Sequence, residues 1–409
     1  MRKKKLFISL FVIVALGAAA FFFVAPAAVE SYYNRTLHAP PYAASERARA
    51  LHAKLFVADL HADSLLWDRD ILARSSRGHV DVPRLVEGGV ALQAFTIVTK
   101  VPRGANYGVT EGDTDNITPL VVAGRWPART WGSLTERALH QARKLEDAAA
   151  RSGGRLVIIE SAGDLARFVE QRARASEDGR AVEASQSVGT SQSNGGARVA
   201  AWLGVEGAHA LDGEVANLDR LFDAGVRMMA PVHFFDNEWG GSAHGARKGG
   251  LTEKGRELVR RMEAKGVVVD LAHASAQTID DVLALATRPV VVSHTGVRGG
   301  CDNERNIDDE RVRRIAATGG VVGIGFWEAA TCGTDAGSIA RAIRYAANLV
   351  GARHVALGSD FDGAVATPFD ATGLAQLTDA LLAEGFDEAE IELIMGGNVL
   401  RVLAETLPR

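Results

Sequence analysis

The chain has 409 residues, 47% hydrophobic and 23% charged, with a formal net charge of −4. That length suits one large α/β-barrel domain or two ordinary ones. The near balance of charge lacks the basic excess a nucleic-acid partner would call for, and there is no acidic tail.

Met1-Arg2-Lys3-Lys4-Lys5 is basic, and Leu6 to Ala25 carries no charge. At about 1.5 Å per residue this apolar run spans a bilayer core of about 30 Å. The basic flank predicts Lys3 to Lys5 on the cytoplasmic side, with an exported, membrane-anchored body facing the periplasm or exterior. The alternative is a signal peptide cleaved at Ala25-Pro26-Ala27 and a secreted body. The apolar core is longer than the about 7–15 residues usual in a signal peptide, which favours the anchor. Residues 1–28 are therefore set apart from the fold, 29–44 (with Pro40-Pro41) read as a linker, and 45–409 as the folded domain. Ser45 to Lys54 reads as a short helix, capped by Ser45 with Glu46 in its first turn.

Eight apolar runs follow that read as strands: 55–61, 90–98, 199–206, 226–233, 266–273, 289–294, 319–326 and 354–360. They are β-branched or continuously apolar, as strands buried on both faces should be. Amphipathic stretches at 252–264, 275–286, 308–317 and 337–350 alternate with them, which is the α/β signature. Gly266, Gly319-Gly320 and Gly351 stand where helix C-caps belong. The expected fold is a (β/α)8 TIM barrel with an N-terminal membrane segment and a long insertion after the second strand.

That insertion, 99–198, reads as a loop (Gly104 to Pro127), a helix (Leu134 to Arg151), an extra strand (Arg155 to Glu160) and a helix (Ala162 to Ala175). Ser176 to Gly196, rich in Ser, Gly, Gln and charge, reads as a mobile excursion. The extra strand is placed outside the barrel, because only Glu160 follows it as a site-type residue.

His61, Asp63, Glu206, His233, His273, His294 and Asp360 each fall at or just past the C-terminal end of an apolar run. A parallel barrel gathers those ends on one face, where such barrels do chemistry. His61-Ala62-Asp63 puts two ligands on one side of a strand. Alone, the pair is more often a core histidine beside a surface aspartate. His273 and His294, ending successive strands, turn the balance towards metal. Imidazole and carboxylate suit zinc, among other ions.

Glu206 ends an apolar run, where a carboxylate is costly unless paired or metal-bound. It can bridge two ions about 3.5–4 Å apart. One ion then takes His61, Asp63 and Glu206, and the other Glu206, His273 and His294. Two divalent ions, two carboxylates and a hydroxide leave the site with a net positive charge, which polarises a carbonyl and lowers the pKa of bound water. Cys301 and Cys332 would meet an oxidising compartment, which permits a disulfide. Two unrelated buried thiols are the alternative, and spacing does not choose.

The segments DLHAD (59–63), GVEGAH (204–209), GVRMMAPVH (225–233), VDLAHAS (269–275), VVSHTG (291–296), CDNERN (301–306), GSDFDG (358–363) and GGNVLRV (396–402) occur in the order of a known family. Over about 45–409 the chain resembles the membrane (renal or microsomal) dipeptidases, zinc peptidases built on a (β/α)8 barrel. The resemblance implies a binuclear centre of two Zn2+ and hydrolysis of dipeptides by a metal-bridging hydroxide, with a D-residue tolerated at the C-terminal position. It implies His61 and Asp63 on one zinc, His273 and His294 on the other, and Glu206 as the bridge. It implies His233 at the substrate carbonyl, Arg305 on the substrate carboxylate, Asp360 as acid/base, a Cys301–Cys332 disulfide and a homodimer.

The residues read alone leave some alternatives open. Arg305 could instead pair with Asp308 or Asp309, and Asp362 competes with Asp360. His209 is either a supporting residue or structural. His38, His52, His79, His140, His244 and His354 read as surface or structural. The family's expected Pro-Trp after the first motif is Leu65-Leu66-Trp67 here, and tethering is expected through the N-terminus rather than a C-terminal lipid. The rival functions are another amidohydrolase-like enzyme, such as an N-acyl-D-amino-acid hydrolase or a deaminase, and a non-catalytic tethered barrel.

Overall fold

The computed structural model describes residues 2–185 and 198–409. Among these are nine strands: β1 (Val57–Asp59), β2 (Val90–Ile97), β3 (Leu156–Ile158), β4 (Val199–Val205), β5 (Val226–Met229), β6 (Val268–Val269), β7 (Val291–Thr295), β8 (Val321–Ile324) and β9 (Val355–Leu357). Eight lie in the order β6-β5-β4-β2-β1-β9-β8-β7, each parallel to its neighbours. A parallel bridge between Asp270 and Val291 joins the two ends of that row. The strands thus close into the expected (β/α)8 barrel. β3 pairs with the start of β4, Leu156 with Val199 and Ile158 with Ala201, before β5 joins at Leu203. It lies off the barrel path, as its sequence context indicated.

Side chains on a strand alternate between faces. Ala58, Leu92, Trp202, Met228, Val268, Val291, Val321 and Ala356 form one buried cluster with Val399, Val402 and Leu403 of the last helix. Their neighbours along the strands, Val57, Leu203, Val269, Val292, Val322 and Val355, join a larger cluster with the surrounding helices. Both faces are apolar because both are covered. Burying each large side chain contributes about 1.5–3 kcal/mol. The helices start where capping residues allow: Ser45, Thr252, Ser275 and Asp308 each accept a backbone N–H of the first turn.

The strands are shorter than the apolar runs suggest. β6 ends at Val269 and β9 at Leu357, several residues before His273 and Asp360. The remaining residues leave the hydrogen-bonded ladder to bring side chains into the barrel mouth. In the insertion, the second long helix runs Ala162–Ser185, past the Ala175 end expected. Residues 186–196 of the expected excursion lie outside the described residues.

The N-terminus departs most from expectation. Helix α1 (Arg2–Phe23) is followed by α2 (Ala25–Tyr33), so the expected linker 29–44 begins inside a helix. Glu30 is buried, with Arg69 Nε at 2.6 Å and Arg77 Nε at 3.0 Å. Ala364 N donates to Asn34 Oδ1 (2.8 Å), and Leu37 N to Thr367 O (2.8 Å). These bonds strap Glu30 to the segment after β1, and Asn34 and Leu37 to the loop after β9. Their partners lie far along the chain, so local composition could not reveal them. Cys301 and Cys332 form a disulfide, with Cα atoms 5.5 Å apart.

Candidate active site

The C-terminal ends of the barrel strands open on one face, and the expected residues converge there. His61 and Asp63 follow β1, Glu206 follows β4, His233 follows β5, His273 follows β6, His294 lies in β7 and Asp360 follows β9. His273 (φ 61°) and Asp360 (φ 60°) adopt left-handed backbone, which is costly for residues with a Cβ and recurs at functional sites. Gly207 (φ 95°) must be glycine: a Cβ there would stand 2.3 Å from the His209 ring and 3.1 Å from His233 Cβ.

Glu206 is the hub. Its Oε1 lies 3.1 Å from His273 Nε2, 3.3 Å from His294 Nε2 and 3.7 Å from His61 Nε2. Its Oε2 lies 3.1 Å from His233 Nε2. His61 Nε2 is 3.4 Å from Asp63 Oδ1 and 3.9 Å from Asp360 Oδ1, and His273 Nε2 is 3.0 Å from His294 Nε2. Both expected ligand sets therefore meet at one carboxylate. The donors also group in other ways: His233 stands with Glu206 and His273, and Asp360 with His61 and His294.

A supporting layer orients these groups. Ser293 Oγ donates to Asp270 Oδ2 at 2.6 Å, and lies 3.2 Å from His61 Nδ1 and 2.9 Å from His294 Nδ1. Its single proton is already given to Asp270, so it faces both rings as an acceptor. Both rings then carry a proton on Nδ1 and turn Nε2 towards Glu206, where it would offer its lone pair to a cation that displaced any proton there. Thr96 Oγ1 donates to Asp63 Oδ1 at 2.6 Å. Asp59, under the mouth, accepts from Gln93, Ser359 N and Ser359 Oγ.

The electrostatics suit cations. Burial opposes charge on His61, but Asp63, Glu206 and Asp360 outweigh it and push the ring up to about 10. Burial pushes Glu206 well above the carboxylate range. It raises Asp360 to about 7, with His61 opposing and Asp63 adding. Left to itself the cluster gathers protons. Divalent cations would neutralise the same carboxylates and take up the Nε2 positions, including that of His61, which makes no hydrogen bond among the described residues. Burial holds His233, His273 and His294 well below the usual imidazole range, in the neutral form that ligates.

Arg305 is buried, and no ion pair to it forms among the described residues. Its Nη2 donates to His294 O (2.9 Å) and approaches His273 Nε2 (3.3 Å), and the guanidinium lies over Trp327 at 5.2 Å. The alternative pairing is closed, since Asp308 binds Arg311 and Asp309 binds Tyr345. Asp362 is held by Ser64, Arg69 and His79 N, whereas Asp360 faces the cluster.

Several further residues, which the sequence alone marks only as polar or structural, stand around the site. His244 is buried with its ring 5.2 Å from that of His273. His79 lies under the Asp362 loop, its Nδ1 accepting from Asp362 N at 3.0 Å. His209 is buried, and its ring lies 6.4 Å from that of His233 and 5.0 Å from Phe235. Asp59, Asp270 and Ser293 were legible only as polar residues inside apolar runs. Trp67 lines the cavity, and its Nε1 donates to Asp362 O.

A family model described as membrane dipeptidase, peptidase family M19, matches residues 45–407. A dipeptidase of Aspergillus oryzae, aclJ, is 35% identical over 218 residues, 51% of this chain and 52% of that protein. An uncharacterized protein encoded in the pqqA 5′ region of Klebsiella pneumoniae is 34% identical over 215 residues, 49% of this chain and 79% of that protein. The aligned stretch thus spans about half the length of the fungal relative. Among solved structures, a metallopeptidase described as dipeptidase AC superposes with TM-score 0.67 at 23% identity, covering 87% of this chain and 99% of that one. A metallopeptidase of Rhodobacter sphaeroides, bound to a phosphinate mimic of L-Ala-D-Ala, superposes with TM-score 0.63 at 24% identity, covering 86% and 99%. At these identities the structures establish the shared fold.

Proposed function

The chain belongs to the membrane dipeptidase family, peptidase family M19, and from that premise we propose that it is a binuclear zinc dipeptidase whose substrates carry a free C-terminal carboxylate, D-residues at that position included. The observation that carries this reading is Arg305. A buried guanidinium without a carboxylate partner among the described residues, beside a cluster of imidazoles and carboxylates, suits an anion brought by the substrate.

His61, Asp63 and Glu206 would hold one ion, and Glu206, His273 and His294 the other. When bound, such ions polarise a carbonyl and lower the pKa of water at the site. The chain's own groups do the rest. Arg305 anchors the carboxylate and so fixes the scissile amide over the cluster. His233, kept neutral by burial, can donate a hydrogen bond to the carbonyl oxygen as it gains charge. Asp360, raised to about 7, can take a proton from the attacking water and return it to the leaving nitrogen. The C–N bond breaks, a C–O bond forms, and the products are two free amino acids.

The body is tethered and faces away from Lys3 to Lys5 on this reading. Residues 3–23 form a helix with mean hydropathy 2.7, long and apolar enough to cross a membrane. Signal cleavage at Ala25-Pro26-Ala27 would cut a helix that packs against the barrel, which favours retention.

The test is a dipeptide panel run with and without chelator. L-Ala-L-Ala and L-Ala-D-Ala are expected to turn over, to lose turnover with chelator and to regain it with zinc. The amide L-Ala-L-Ala-NH2 should be worse by about a hundredfold, because it leaves Arg305 unpaired. Equal turnover of acid and amide would defeat the reading.

A further inference from the structure

We propose that the junction of α1 and α2 is a wall of the substrate pocket, and that it selects dipeptides with a large apolar residue on the amino side. The proposal rests on the dipeptidase reading and adds a specificity element to it. A single cavity of about 690 Å³ includes Glu206, Arg305 and Asp360 at its floor. The same cavity is lined by Phe21, Ala25, Pro26, Val29 and Tyr33. The end of the apolar N-terminal helix and the start of the next one therefore face the same space as the catalytic groups.

Four observations make this wall part of the site. First, it is fixed. Glu30, on the same helix, is buried between Arg69 and Arg77, and Arg69 also pairs with Asp362, two residues from Asp360. Second, it is continuous with the barrel's own apolar lining, Leu66, Trp67, Val98, Val101 and Ile117. Third, it sits in the right sector. Arg305 follows β7, while the partners of α2 follow β1 and β9. In the barrel order β1 stands three strands from β7, so a substrate whose carboxylate is on Arg305 extends its amino-side residue towards α2. Fourth, the cavity is in the size range that encloses a drug-sized ligand, more room than two small residues fill.

The chemistry of the occupant follows. Phe21, Val29, Leu66 and Val98 offer no charge and no hydrogen bond from their side chains, so the group they fit is an aromatic or branched aliphatic side chain.

The test uses the full chain in detergent or lipid nanodiscs, with L-Phe-L-Ala and L-Ala-L-Ala as substrates. The readout is the ratio of their kcat/KM values. Val29→Asp and Tyr33→Ala, both at partly exposed positions of α2, should lower that ratio about tenfold, chiefly through KM for L-Phe-L-Ala. Tyr32→Ala, on the same helix but outside the cavity lining, should leave the ratio as it is. If Val29→Asp and Tyr33→Ala leave the ratio unchanged while the wild type hydrolyses both dipeptides, the wall has no role in selection and the inference falls alone. If the wild type hydrolyses neither, the dipeptidase reading falls and takes the inference with it.

Discussion

Ser293 Oγ lies 2.6 Å from Asp270 Oδ2 and gives its only proton there. The same oxygen meets His61 Nδ1 and His294 Nδ1, so one hydroxyl sets the tautomer of an imidazole in each expected half-site. Ser293→Ala should weaken metal binding about 10–100-fold, the usual cost of losing such support. A competition titration against a chromogenic chelator reads this without any substrate. Asp270 keeps its bonds from Ser293 N and Ala272 N, so the fold should survive.

Arg305→Met should raise KM for L-Ala-L-Ala about a hundredfold and change kcat little, because the guanidinium binds a part of the substrate that does not react. Arg305→Lys should not restore KM, since an ammonium cannot reproduce the planar fork. Steady-state kinetics on both variants check the split.

Asp360 and Asp362 are two residues apart and should behave oppositely. Asp360→Asn should lower kcat about 10²–10⁴-fold with the fold intact. Asp362→Asn strips charge from a buried ion pair with Arg69 and should cost about 3–5 kcal/mol of stability. Denaturant titration beside kinetics separates the two effects.

His140 tests acid stability away from the cluster. Burial against Trp126, with Lys144, Arg143 and Arg129 nearby, lowers its pKa to about 4. Below its unfolded value of about 6.5 the unfolded chain binds a proton that the folded one refuses. This histidine's contribution is therefore complete above about 6.5 and is lost as pH falls towards about 4. His140→Gln should make the fall of Tm with acid shallower across that window, as thermal denaturation at several pH values would reveal.

The barrel was readable because its strands are covered on both faces, so the runs are largely apolar, and six of the eight stop in a histidine or an acid. The ends themselves were misjudged. His273 and Asp360 sit beyond the ladder in left-handed backbone, and nothing in an apolar run announces that bend. Asp59 and Asp270 carried a signal that was passed over: an acid inside LFVADLH and another inside VVVDLAH, each just ahead of a histidine. Such an acid is tolerated only if the fold brings it donors, and those donors come from other strands. The docking of α2 is hidden for the same reason, because the partners of Glu30, Arg69 and Arg77, lie on another segment, after β1.

The Glu30–Arg69–Asp362 chain of charges would also fix how the molecule stands in a bilayer, were α1 to span one as proposed. A body on a slack leash would tumble and sample every attitude to the lipid. Here α2 is clamped to the barrel soon after α1 ends, which leaves little swivel between α1 and the body. With α1 in a bilayer, as proposed above, the barrel mouth would keep one bearing towards the surface, and its reach would be set by lateral diffusion in two dimensions.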